Sequence, residues 1–130
     1  MGVRFPSVAS NTILNSPIIT SAQTIICTTP PINEPVDNAQ VLLWWWYNVT
    51  LGTTVTSITV RIHRGTATSG QVINVVSAFT ATASTGVALS GCYFDFPGIV
   101  AGLQYSLDFQ QNGAGSNATV NDVCMIAMVL

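Results

Sequence analysis

A chain of 130 residues in which 48% of side chains are hydrophobic but only 6% are charged is long enough for one packed core, yet carries about a quarter of the charge of an ordinary globular protein. Three arginines (Arg4, Arg61 and Arg64), no lysine and a net charge of −2 leave no basic patch for phosphates, which excludes direct nucleic-acid binding. So few ionised groups repel a second copy only weakly, and a surface of this kind is expected to be covered by neighbouring subunits.

Residues 1–17 contain Pro6 and Pro17 and show no apolar period, so they are expected to form an extended N-terminal arm. Pro6, Ser7, Ser10, Asn11 and Thr12 interrupt any apolar segment of signal-peptide type. The run PIITSAQTIICT, residues 17–28, is rich in β-branched residues and stops at Pro30-Pro31, which reads as one strand. In AQVLLWWWYNVTL, residues 39–51, strict alternation sends Val41, Leu43, Trp45, Tyr47, Val49 and Leu51 to the core and turns Trp44 and Trp46 away from it. The stretch VTSITVRIHR then places Ile58, Val60 and Ile62 inward, with Arg61 and His63 outward.

QVINVVSAFTATA and the segment from Val87 to Phe96 give two more strands, the second with Cys92, Phe94 and Phe96 on one face and Tyr93 and Asp95 on the other. Leu103, Tyr105, Leu107 and Phe109 alternate with Gln104, Ser106, Asp108 and Gln110, the mark of a half-buried strand. The last run is apolar in both phases: Val123, Met125, Ala127 and Val129 against Cys124, Ile126, Met128 and Leu130. A strand of that kind is buried on two faces, and in a thin domain the second face needs a partner. No segment has a helical period, and no stretch resembles a membrane helix. Short strands with turn signals every 8–12 residues indicate an all-β protein, a jelly-roll β-sandwich over residues 18–130 behind the arm of residues 1–17.

Little chemistry is available to such a chain. His63 is the single histidine, and as a general base it would need an orienting carboxylate, for which Asp108 is available, and a serine; the sequence spacing carries no information about such a triad. Cys27, Cys92 and Cys124 contain no paired-ligand spacing, so no metal is expected, and all three are expected to be small buried residues on strands. No Gly-rich phosphate motif is present, so no cofactor is expected and no residue is assigned a catalytic role. The strongest local signal is Trp44-Trp45-Trp46-Tyr47. The outward pair Trp44 and Trp46 suits a protein interface or cover by the arm, and alternatively a platform that stacks on sugar rings. The doubly apolar last strand independently requires a partner and favours the interface, which is placed on Trp44, Trp46, Val123, Met125, Ala127 and Val129.

VTSITVRIHRGTATSGQVI, residues 55–73, and LQYSLDFQQNGAGSNATVNDVCMIAMVL, residues 103–130, together resemble the jelly-roll structural proteins of viruses and phages, in which a strand of the type TVRIRRGT, a Gly-rich loop and a closing strand pair recur. The resemblance spans about half the chain. It implies a virion component, a small capsid or capsid-decoration protein located in the virion, commonly a homotrimer in contact with other capsid proteins. Shell proteins that wrap RNA commonly carry a basic N-terminal arm, whereas residues 1–17 hold only Arg4; an outer-surface role, or a shell in which another component handles the genome, fits better. The alternative function is a carbohydrate- or receptor-binding module using the same tryptophans.

Overall fold

The computed structural model describes residues 8–13, 17–32, 40–53, 57–79, 86–98, 102–113 and 117–130, with the side chains of residues 8, 9, 11 and 75–79 outside the description. Among these residues the chain forms strands β1 (Val8–Ile13), β2 (Ile18–Ile19), β3 (Thr24–Thr28), β4 (Val41–Thr50), β5 (Ser57–Arg64), β6 (Val72–Phe79), β7 (Gly86–Asp95), β8 (Tyr105–Asn112) and β9 (Ala118–Val129). No helix among them is long and apolar enough to cross a membrane.

Two antiparallel sheets are stacked as a sandwich. Sheet A runs β1-β9-β4-β7, with β2 also paired to β9, and sheet B runs β3-β8-β5-β6. The pairings β1 and β2 with β9, β3 with β8, β4 with β7, and β5 with β6 are nested, as in one long hairpin. The contacts β4 with β9 and β5 with β8 roll that hairpin into two layers. This connectivity is a jelly roll.

Alternation in the sequence fills the space between the sheets. The inward set of β4, from Val41 to Val49, continues to Leu51 and faces Ile58, Val60 and Ile62 of β5 and Tyr105, Leu107 and Phe109 of β8, all buried. Tyr47 and Phe109 meet edge to face across the layers, centroids 5.3 Å apart at 86°, a geometry that contributes about 0.5–1.5 kcal/mol beyond area burial. At one end a polar strap joins the sheets. Arg64 of β5 donates through Nε and Nη2 to Asp95 of β7, at 2.8 and 2.5 Å, and Tyr105 Oη donates to the same carboxylate at 2.7 Å. Burial alone would raise the Asp95 carboxyl, but the hydrogen bonds from Arg64 and Tyr105 and the guanidinium charge outweigh it and hold the group below the usual carboxylate range.

Two expectations change at the N-terminal end. Within the stretch expected to be an arm, residues 8–13 are extended but belong to sheet A, paired with β9 over six positions; residues 1–7 lie outside the described residues. Ser10 and Thr12 are exposed while Ile13 packs on the core, so polar outward positions conceal the strand. The single strand expected over residues 17–28 is instead β2 and β3, in different sheets. The crossing is fastened by Ala22 N–H to Thr20 Oγ1 and Thr24 Oγ1–H to Ala22 O, both 3.2 Å. Uniform β-branched composition gives no sign of where a chain changes layers.

Candidate interaction surface

Sheet A presents an outer face almost without charge. Its register puts Leu42 beside Phe94 and Met128, Trp44 beside Cys92 and Ile126, and Trp46 beside Ser90 and Cys124. Directly opposed residues on neighbouring strands share a face, so these rows form one continuous surface. Trp44 is 55% exposed and Trp46 40%, and Phe94, Phe96 and Leu130 are exposed around them. A shallow apolar groove of ≈ 430 Å³ lies over Leu42, Trp44, Ser90, Gly91, Cys92 and Phe94. Exposed apolar patches of this kind mark contact sites on soluble proteins.

The two tryptophans therefore point outward as the alternation in β4 requires, but the assignment on β9 is corrected. Val123, Met125 and Ala127 are fully buried inside the sandwich, and Val129 is half-buried against the core. The reason is register: Val123 pairs with Tyr47, Met125 with Trp45 and Ala127 with Leu43, all inward residues of β4. The opposite phase, Cys124, Ile126 and Met128, joins Trp46, Trp44 and Leu42 on the outer face. With both phases apolar, β9 alone gives no orientation; its pairing with β4 does. The central position of β9 in sheet A, between β1 and β4, also supplies neighbours on both of its edges.

Cys92 departs from expectation too. It is exposed on the outer face of β7, whereas Cys27 and Cys124 are buried, and none of the three is in a disulfide. Burial, and secondarily the neighbouring Cys124, pushes the Cys27 thiol up to about 11, so Cys27 is unreactive at neutral pH.

A second polar centre lies on the outer face of sheet B. Asp108 accepts hydrogen bonds from Arg61 Nη1 (3.1 Å) and His63 Nε2, and Arg61 Nη2 donates to Gln110 Oε1 at 2.9 Å. His63 Nδ1 lies 2.9 Å from the carbonyl of Gly70, and Ser106 Oγ donates to the carbonyl of Gly65 at 2.6 Å. His63 and Asp108 thus do come together, with Ser106 directly across from His63 in the register. They do not make a hydrolytic site. Both ring nitrogens face acceptors, the serine proton is committed to a carbonyl, and His63, Ser106 and Asp108 have no exposed surface. What the cluster holds is the turn from Gly65 to Gly70, whose two end carbonyls it takes; Gly65 has φ of 99°, a left-handed conformation suited to glycine. His63, expected outward, does sit on that face, and the turn folds over and buries it. Among the described residues no three His, Cys, Asp or Glu side chains gather as a metal site.

No known protein family matches the chain, and no curated protein matches it in sequence. Solved structures do. A chain in the structure of the infectious bursal disease virus Gx strain is similar with a TM-score of 0.60 and 7% identity, over 94% of this chain and 32% of that one. A chain of the T13 particle of the same virus gives 0.56 and 7%, over 94% and 31%. The protein FLHE gives 0.54 and 14%, over 96% of both chains. The chain spans about a third of the viral chains it matches. At these identities the likeness is one of fold.

Proposed function

We propose that this chain is a structural virion protein, a capsid or capsid-decoration subunit that assembles through protein–protein contacts and catalyses no reaction. The observation that carries this reading is the nearly uncharged outer face of sheet A, with Trp44 and Trp46 exposed at its centre. Leaving two indoles, Phe94 and Phe96 partly in water forgoes a share of the about 1.5–3 kcal/mol that full burial of a large apolar side chain contributes, and a lattice of subunits recovers it. Copies of the chain, in trimers, and other capsid proteins are the partners in this reading, and the virion is its location. The jelly-roll connectivity and the fold likeness to capsid chains support the reading at the level of fold. With Arg4 the single cation of residues 1–17, the N-terminal stretch does not package nucleic acid in this reading.

Trp44→Ser with Trp46→Ser tests it. Sedimentation velocity and electron imaging of the variant are expected to show at least a tenfold rise in the concentration needed for assembly, with the β-sheet circular dichroism unchanged. Assembly at the original concentration would remove Trp44 and Trp46 from the interface.

One observation favours a carbohydrate- or receptor-binding module as the second reading. Trp46, Asn48, Ser90 and Asp122 line a cleft of ≈ 310 Å³, and Asp122 Oδ1 is a buried oxygen without a hydrogen-bond partner. An aromatic face beside a carboxylate and an amide suits a hydroxylated ring. A glycan array probed with the assembled protein discriminates the two readings, since the structural reading requires no binding.

A further inference from the structure

Each sheet of an open sandwich has two edges, and natural proteins protect such edges with short strands, bulges, prolines or charges. Three of the four edges here are short or irregular. β1 spans six residues and β3 five, with a register shift at Ile25/Cys27, and β6 is shifted twice against β5, at Val60/Arg61 and Ile62/His63. β7 is different. It pairs with β4 over ten consecutive positions without a shift, and from Gly86 to Phe94 it contains no charge and no proline. Among the described residues no strand pairs with its other side, and it is exposed along most of its length.

We propose that β7 is the edge through which copies of this protein in neighbouring trimers meet in pairs, joining antiparallel to β7 of a second copy about a two-fold axis at Gly91, so that sheet A continues from one trimer into the next. This deepens the assembly reading above and rests on it. An unpaired run of backbone N–H and C=O groups is complementary to another strand, which fixes the chemistry of the occupant. Three features select a second copy. A two-fold axis normal to the sheet pairs residues of equal parity and so keeps the two outer faces on one side. Centred on Gly91, it sets Phe94 opposite Ala88, a large residue against a small one, and Cys92 opposite Ser90, two small residues, on the outer face. On the inner face it sets Tyr93 opposite Leu89, an aromatic–aliphatic pair. Finally, with no charge from residue 86 to 94, the two strands approach without repulsion.

Opposed residues on paired strands have Cα atoms about 4.5–5.5 Å apart, inside the range a disulfide spans. Ser90→Cys therefore places a thiol against Cys92 of the second copy, while Cys124, two strands away from residue 90, lies beyond reach. The assembled Ser90→Cys protein is oxidised with glutathione disulfide, which takes up the two electrons, and the products are mapped by non-reducing peptide mass spectrometry. The expected result is a covalent dimer linked 90 to 92, which disappears when Cys92→Ser is added. Hydrogen exchange on the unmodified protein gives a second readout: β7 amides directed away from β4 are expected to slow at least tenfold on assembly. Assembly without the 90–92 link and without added protection overturns the edge pairing and leaves the assembly reading standing. A protein that stays monomeric at every concentration overturns both.

Discussion

Gly91 is required by what lies beneath it. A Cβ built there would sit 2.6 Å from Cζ2 of Trp45 and 3.1 Å from its Cε2, closer than two carbons approach, and Trp45 is itself locked in the core. The glycine is used for its lack of bulk, with the indole lying flat where a side chain would stand. Gly91→Ala is expected to destabilise the fold by about 1–3 kcal/mol, the usual cost of overpacking, read as a lower urea midpoint with unchanged slope. Trp45→Phe added to Gly91→Ala removes the opposing carbons and should recover part of the loss. Additive losses in the double variant would mean that the two residues do not compete for this space. Nothing in the sequence marks Gly91 as a packing residue, because its partner is 46 positions away and on another strand.

Legibility at the level of elements followed chemical contrast. β4 is readable to the residue, and so is the inward set of β8, since Trp45 and Tyr47 or Leu107 and Phe109 alternate with side chains of another kind or against a fixed parity; the half-buried reading of β8 fails, because Ser106 and Asp108 on its other face are buried as well, in the hydrogen-bonded cluster around His63. β9 was recognisable as a strand and as doubly apolar, but its facing was not, because Val123 and Cys124 differ too little in polarity to choose a side. The pairing of β4 with β9 chooses it, and that is a contact between residues some 80 positions apart. The strap of β5, β7 and β8 was invisible for the same reason: Arg64, Asp95 and Tyr105 share no local pattern. Its pH behaviour follows from the shift of Asp95. The folded carboxyl lies below its ordinary 3.8, so near that pH the unfolded chain binds more protons and stability rises with pH. The contribution is complete above 3.8 and is lost as pH falls through the lower folded value. Asp95→Asn is expected to lower stability at pH 7 by about 2 kcal/mol, leaving Arg64 without its anion, and to flatten the acid limb of a plot of urea midpoint against pH. An unchanged acid limb would show that other carboxylates dominate there.

At the scale of the whole molecule both arginines among the described residues are spent on internal partners. Arg61 is held by Asp108 and Gln110, and Arg64 by Asp95, which leaves the outer face of sheet A to Leu42, Trp44, Trp46, Phe94, Ile126 and Met128. Contacts made by such a face respond to solution conditions in a characteristic way. Raising salt from about 0.1 M to about 1 M shortens the screening length from about 10 Å to about 3 Å and dissolves interfaces held by ion pairs, but leaves apolar ones intact or tighter. Cooling acts the other way, since apolar burial is entropic near room temperature and weakens in the cold. Assembly of this chain is therefore expected to persist across that salt range and to loosen between about 25 °C and about 5 °C, as measured by sedimentation velocity at fixed protein concentration. Dissociation by salt with indifference to cold would place the contacts on charged groups, and among the described residues the outer face of sheet A has too few of these to account for it.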